Sequence, residues 1–69
     1  MIKINTIKNN MREIRFHKNL TLDDVFLRTD IWGPKLSRIE RGILKPSLKE
    51  RQLIAKALRS KVEEIFPDA

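Results

Sequence analysis

Among the side chains able to do chemistry, cations predominate. Fifteen lysines and arginines stand against nine aspartates and glutamates, for a formal net charge of +6 and an isoelectric point near 10.2. That excess points to a polyanionic partner, either nucleic acid or an anionic membrane surface. The chemistry of catalysis is missing. There is no cysteine, so disulfides and thiolate metal sites are excluded, and the single histidine, His17, cannot build a zinc site by itself. No nucleophile–base pair, metal-ligating cluster or phosphate-cradling glycine loop can be assembled from the chain. The expectation is a binding protein, not an enzyme, with no cofactor and no small-molecule substrate.

The 69 residues allow one domain, which must close a compact helical core to be stable. Apolar residues make up 41% of the chain, enough for a small fold and too much for wholesale disorder. No apolar run approaches the roughly 20 residues of a membrane span. The opening Met1-Ile2-Lys3-Ile4-Asn5 lacks the apolar core of a signal peptide, so a cytoplasmic location is expected.

Glycine occurs only at Gly33 and Gly42, and proline at Pro34, Pro46 and Pro67. These residues punctuate a chain rich in helix formers, and the alternation that strands require is absent. The periodicity predicts a first helix from about Thr6 to Lys18. Ile7, Met11 and Ile14 share one face, Asn5 or Thr6 can cap it, and Asn19 can end it in the left-handed conformation. A second helix follows Thr21. The threonine can accept from a free backbone N–H, Asp23 and Asp24 oppose the helix dipole, and Asp24 fits a capping box loosely. Val25 and Phe26 are expected to point inward, and the helix should end near Thr29-Asp30. A third helix spans about Gly33 to Arg41, with Pro34 in its first turn, Leu36 and Ile39 facing the core, and Gly42 just beyond its end. A fourth starts after Pro46-Ser47, runs to about Leu58 and is expected to bury Leu48, Leu53, Ile54, Ala57 and Leu58. A last turn or two covers Val62 to Phe66 and ends at Pro67.

Two short helices separated by about four residues make a helix-turn-helix candidate. The string Leu36-Ser37-Arg38-Ile39-Glu40-Arg41-Gly42, followed by Lys45-Pro46-Ser47, resembles the third helix and following loop of the Xre-type family, the Cro and lambda-repressor-like DNA-binding domains. Arg15 stands where that family has its first-helix arginine, and Leu20-Thr21 opens the second helix in the same way. Ala55-Lys56-Ala57-Leu58 and Val62-Glu63-Glu64-Ile65-Phe66 resemble its fourth and fifth helices. The resemblance covers Ile7 to Phe66 without a gap. It implies an all-α domain of four to five helices over residues 1–69, with its core at about 6–66 and the helix-turn-helix at about 22–41. It also implies an ion pair between Arg15 and Glu40; the alternative for Glu40 is a solvated surface charge.

In the family the third helix lies in the major groove and the second crosses the phosphate backbone. The residues this places toward DNA are Trp32, Gly33, Pro34, Lys35, Ser37 and Arg38. Phosphate contacts are expected from Lys35, Arg41, Lys45 and the N-terminal amides of the second helix, with Arg28 and Lys18 as further candidates. Arg12, Lys49, Arg51, Lys56 and Arg59 are read as solvated faces. The chain departs from the pattern at several positions. Gly33 and Pro34 stand where side chains that hydrogen-bond to bases are common, so base reading shifts to Lys35, Ser37 and Arg38. Arg38 suits a bidentate contact to guanine, or else a phosphate. Trp32 replaces a small capping residue. It is expected to pack over the second helix as a lid on the core, the alternative being contact with a thymine methyl or the sugar–phosphate chain. Phe26 replaces an alanine, and Asp30 replaces a turn glycine.

The function implied is a sequence-specific regulator of transcription on double-stranded DNA, a small Cro-like repressor or controller protein. One recognition helix per chain calls for two half-sites and hence a homodimer. Val62, Ile65 and Phe66 could serve either the core or the dimer surface. The alternative function is a DNA-binding antitoxin or protein-interaction module.

Overall fold

The computed structural model describes residues 9–67. All regular structure among them is helical: α1 (Met11–His17), α2 (Leu22–Thr29), α3 (Gly33–Glu40), α4 (Leu48–Ala57) and α5 (Val62–Ile65). The chain is therefore all-α. None of these helices is long and apolar enough to cross a membrane.

The helix starts follow from local chemistry. Thr21 Oγ1 accepts from the Asp24 backbone N–H at 3.1 Å, and the Asp24 carboxylate accepts from the Thr21 N–H at 2.8 Å, so the capping box closes at α2 in spite of the short side chain. Ser47 and Glu50 form the same reciprocal pair at the start of α4, at 3.1 and 2.8 Å. At α3 the cap side chain contributes nothing. Trp32 supplies only its carbonyl, which accepts from Leu36 N at 2.9 Å. Pro34 in the first turn has no N–H to satisfy.

The breaks are left-handed residues. Asn19 (φ 56°), Asp30 (φ 61°) and Gly42 (φ 77°) turn the chain after α1, α2 and α3, and Arg59 (φ 52°) does so after α4. Asn and Asp accept this conformation more readily than most side chains do.

The first helix is shorter than its periodicity suggests. It starts at Met11, not Thr6, because Asn9 and Asn10 are engaged elsewhere. Asn9 Nδ2 donates to the Ile39 carbonyl at 2.8 Å and Asn10 Nδ2 to the Glu64 carbonyl at 2.9 Å. The Asn10 backbone N–H donates to the Ile65 carbonyl at 2.8 Å. Those bonds tie the entry of α1 to α3 and α5. The proposed caps Asn5 and Thr6, and Ile7 on the same face, lie outside the described residues.

The core is a single cluster of Met11, Val25, Ile31, Leu36, Ile39, Ile54, Ala55, Ala57, Leu58, Ile65 and Phe66, with Ile14, Leu20, Leu22, Phe26, Leu44, Leu53 and Val62 packed around it. α2 packs against α3 and α4, and α4 carries α5. One expectation fails here. Leu48 is 61% exposed although counting sets it within about 20° of the buried Ala55; it is the first residue of α4, and the buried positions of that helix, Ile54, Ala55 and Ala57, lie in its C-terminal half. Of the two roles left open for Ile65 and Phe66, core and dimer surface, their burial in the single chain assigns the core.

Candidate nucleic-acid interface

The joint between α2 and α3 fixes how α3 is presented. Thr29 is buried at the end of α2. Its hydroxyl donates to the Val25 carbonyl at 2.8 Å and accepts from the Ile31 N–H at 3.1 Å. The Asp30 N–H donates back to the Phe26 carbonyl at 2.7 Å. Ile31 then turns into the core, and Trp32, the next residue along this short non-helical connection, turns out.

Trp32 is accordingly 72% exposed. It is not a lid on the core, because Ile31 has taken the inward place. Gly33 follows with open space where a Cβ would stand, and Pro34 is exposed. The start of α3 thus presents a bare indole and no side-chain donor apart from the indole N–H.

Beyond it, Leu36 and Ile39 are fully buried while Lys35, Arg38 and Arg41 are exposed. Positions 34, 38 and 41 recur at i, i+4 and i+7, which is one helical face opposite the core. Ser37 is half-buried beside it. The Arg38 carbonyl accepts from Ile43 N at 2.9 Å and Leu44 N at 3.2 Å, which closes the end of the helix. Lys45 is exposed on the loop that follows.

Behind this face sits the Arg15–Glu40 pair. Nε donates to Oε2 at 2.9 Å and Nη2 to Oε1 at 3.0 Å, with the side chains only 10% and 7% exposed. The remaining Nη1 donates to the Leu20 carbonyl at 2.8 Å. One guanidinium therefore ties α1, the turn before α2 and the end of α3. It also lies over the Phe16 ring, 4.8 Å from the centroid, with Arg12 at 5.2 Å.

Other cations are occupied. Arg28 donates to the Ala57 carbonyl at 2.9 Å and Lys18 to the Arg59 carbonyl at 3.0 Å, so both satisfy the free carbonyls at the end of α4. Arg51, expected on a solvated face, is half-buried, and its Nε is enclosed without an acceptor among the described residues. The first turn of α2 offers little to a phosphate, since Asp23 and Asp24 stand there and the Asp24 amide is bonded to Thr21.

Lys35 is also engaged. Its ammonium lies 2.5 Å from Glu50 Oε2, with the lysine side chain 45% exposed and the glutamate 17%. Glu50 received no role in the sequence reading, although Ser47-Leu48-Lys49-Glu50 carries a capping-box signature that was there to be read. The Lys35 ammonium first, and then the Ser47 N–H, hold the Glu50 carboxyl below the usual range. No cluster of three or more metal-ligating side chains occurs among the described residues. No protein-family model matches the chain, and no curated protein matches it either.

Proposed function

We propose that this chain is a sequence-specific DNA-binding domain of the Cro and lambda-repressor-like fold, in which α2 and α3 form a helix-turn-helix and α3 enters the major groove. The observation that carries the reading is the two-sidedness of α3. Leu36 and Ile39 are buried, the opposite side exposes Arg38 and Arg41, and Lys35 is exposed on the flank, with a bare Trp32 at the helix start. A helix about 10–12 Å across with its side chains fits a major groove about 12 Å wide. The net charge of +6 supplies the attraction. On this reading Arg38 and Lys35 meet base edges, Ser37 and Trp32 flank them, and Arg41 and Lys45 hold phosphates.

The role that follows is a small cytoplasmic regulator of transcription, a repressor or controller acting as a homodimer on a pseudo-palindrome. Half-site centres would lie one helical turn apart, about 34 Å. The test is the salt dependence of duplex binding. The logarithm of the binding constant should fall against the logarithm of salt with a slope of about −0.9 per phosphate contact. A constant that does not change between low and moderate salt overturns the reading, and a one-to-one footprint on a single half-site overturns the dimer. The second reading is a DNA-binding antitoxin that holds a protein partner. It draws on the exposed apolar side chains Leu27, Ile43 and Leu48, which the single chain leaves uncovered. Suppression of a toxin encoded beside its gene would favour it.

A further inference from the structure

We infer that Glu50, which projects from the start of α4, withholds Lys35 from phosphates and so sets how many cations of the α3 face act on duplex DNA. The inference rests on the DNA-binding reading above and concerns the same surface. Its basis is the division of labour at one carboxylate. Oε1 accepts from the Ser47 N–H at 2.8 Å and completes the capping box, while Oε2 carries the Lys35 ammonium at 2.5 Å. The cap fixes the carboxylate on the first turn of α4, so the lysine is held by a rigid partner. Lys35 belongs to the first turn of α3, next to Gly33 and Pro34, where no other side chain of the helix start is charged.

Two consequences follow. A free lysine sweeps a wide arc on a flexible stem and takes any phosphate within reach. A lysine neutralised by a fixed carboxylate gains little from a phosphate, because the ion pair must open first and leave Glu50 facing the negative backbone. On a random sequence Lys35 therefore stays on Glu50 and releases no counterion. The pair opens only where a base edge offers strong acceptors in the right place, such as guanine O6 and N7. Glu50 acts here as a positioning residue that touches no DNA. Where the pair stays closed, Glu50 costs the complex one phosphate contact; where a base edge opens it, the complex bears the cost of opening the pair.

The experiment uses the whole chain, a short mixed-sequence duplex, and a duplex selected from a random pool. Glu50→Gln is the central variant, since glutamine keeps the capping-box acceptor and removes only the charge. On the mixed duplex it should steepen the salt slope by about 0.9 and raise affinity about eight-fold at 0.1 M salt relative to the 1 M limit. On a selected duplex that opens the pair, the variant no longer bears the cost of opening it, so affinity there should rise at least as much. Lys35→Met should leave the mixed-duplex slope of the wild type unaltered, and lower it by about 0.9 in the Glu50→Gln background. Equal effects of Lys35→Met in both backgrounds, or an unaltered slope in Glu50→Gln, overturn the inference while DNA binding itself stands. Failure of the folded wild type to bind any duplex removes the DNA reading and this inference together. The pair can be followed without DNA: the Glu50 carboxyl should titrate below the usual range in the wild type and move up in Lys35→Met. A Glu50 resonance indifferent to Lys35 also overturns the inference.

Discussion

Arg15 grips Glu40 through two parallel bonds of 2.9 and 3.0 Å, and a third bond of 2.8 Å runs to the Leu20 carbonyl. Both side chains are about nine-tenths enclosed. The pair joins α1 to the end of α3, directly behind the face proposed to meet DNA. Removing one member leaves the other charge enclosed and unpaired. Arg15→Ala or Glu40→Ala should therefore destabilise by about 3–5 kcal/mol, and the double variant by less than the sum. Urea denaturation of all four proteins checks this. Small, additive losses would mean that the two charges contribute independently. For a domain this small, a single variant that is unfolded at 25 °C with a double variant that folds is the same outcome in a stronger form.

The two capping boxes make stability depend on acid. The Thr21 backbone N–H first, and then its hydroxyl, hold the Asp24 carboxyl below the ordinary range; for Glu50 the Lys35 ammonium acts first and the Ser47 N–H second. Groups with lowered values in the folded state stabilise it fully above the ordinary carboxylate range. That contribution fades as pH falls through the lowered values, from about pH 5 downward. Asp24→Ala and Glu50→Ala should each reduce stability at pH 7. The gap to wild type should close as the solution is acidified, read as denaturant midpoints across pH. A gap that is constant down to pH 2 would show that neither carboxylate is favoured in its charged form.

Trp32 separates packing from contact. It is the chain's one tryptophan, and 72% of it faces solvent. Removing an exposed side chain changes stability by no more than about 0.5 kcal/mol. Trp32→Ala should melt like the wild type yet bind its selected duplex more weakly. The wild-type indole emission should shift or quench on binding. A variant that binds duplex DNA as well as wild type, with emission unmoved in the wild type, places the indole away from the nucleic acid.

What the sequence discloses about this fold is what local chemistry decides. Thr21, Pro34 and Ser47 mark three helix starts, and Asn19, Asp30 and Gly42 mark three ends, because each acts within a few residues of itself. Leu36 and Ile39 follow from period alone. The losses lie where distant segments compete. Asn9 and Asn10 leave the helix to bond Ile39, Glu64 and Ile65, and nothing in residues 9–10 announces those partners. Trp32 is the larger apolar residue of its pair, yet Ile31 goes inward, since the geometry of Thr29 decides which of the two faces the core. Leu48 shares its side of α4 with the buried Ala55 yet stands at the first residue of the helix, and period alone does not say how far along a helix the core reaches. The cation face could be picked out, but not the occupation of its members. Arg28, Lys18 and Lys35 each have an acceptor supplied by another helix or by the turn that follows one.

Arg38 and Lys45 carry the same charge and should fail differently. Arg38 lies on the exposed side of α3, opposite the buried Leu36 and Ile39, and no salt bridge among the described residues engages it. Its planar fork matches the two acceptors of a guanine edge. Lys45 is exposed on the loop between Gly42 and the α4 cap, which on the proposed docking puts its flexible ammonium within reach of the duplex backbone only. Arg38→Ala should cost about 1–3 kcal/mol on the preferred site and relax the preference at one base position. Lys45→Ala should weaken binding to every sequence by a similar factor and flatten the salt slope by about one contact. Both variants are measured on the selected duplex and on its single-base variants. Should Arg38→Ala weaken all of these equally, Arg38 is a phosphate clamp. Base reading would then fall to Lys35, once released from Glu50, with Ser37 and Trp32 beside it.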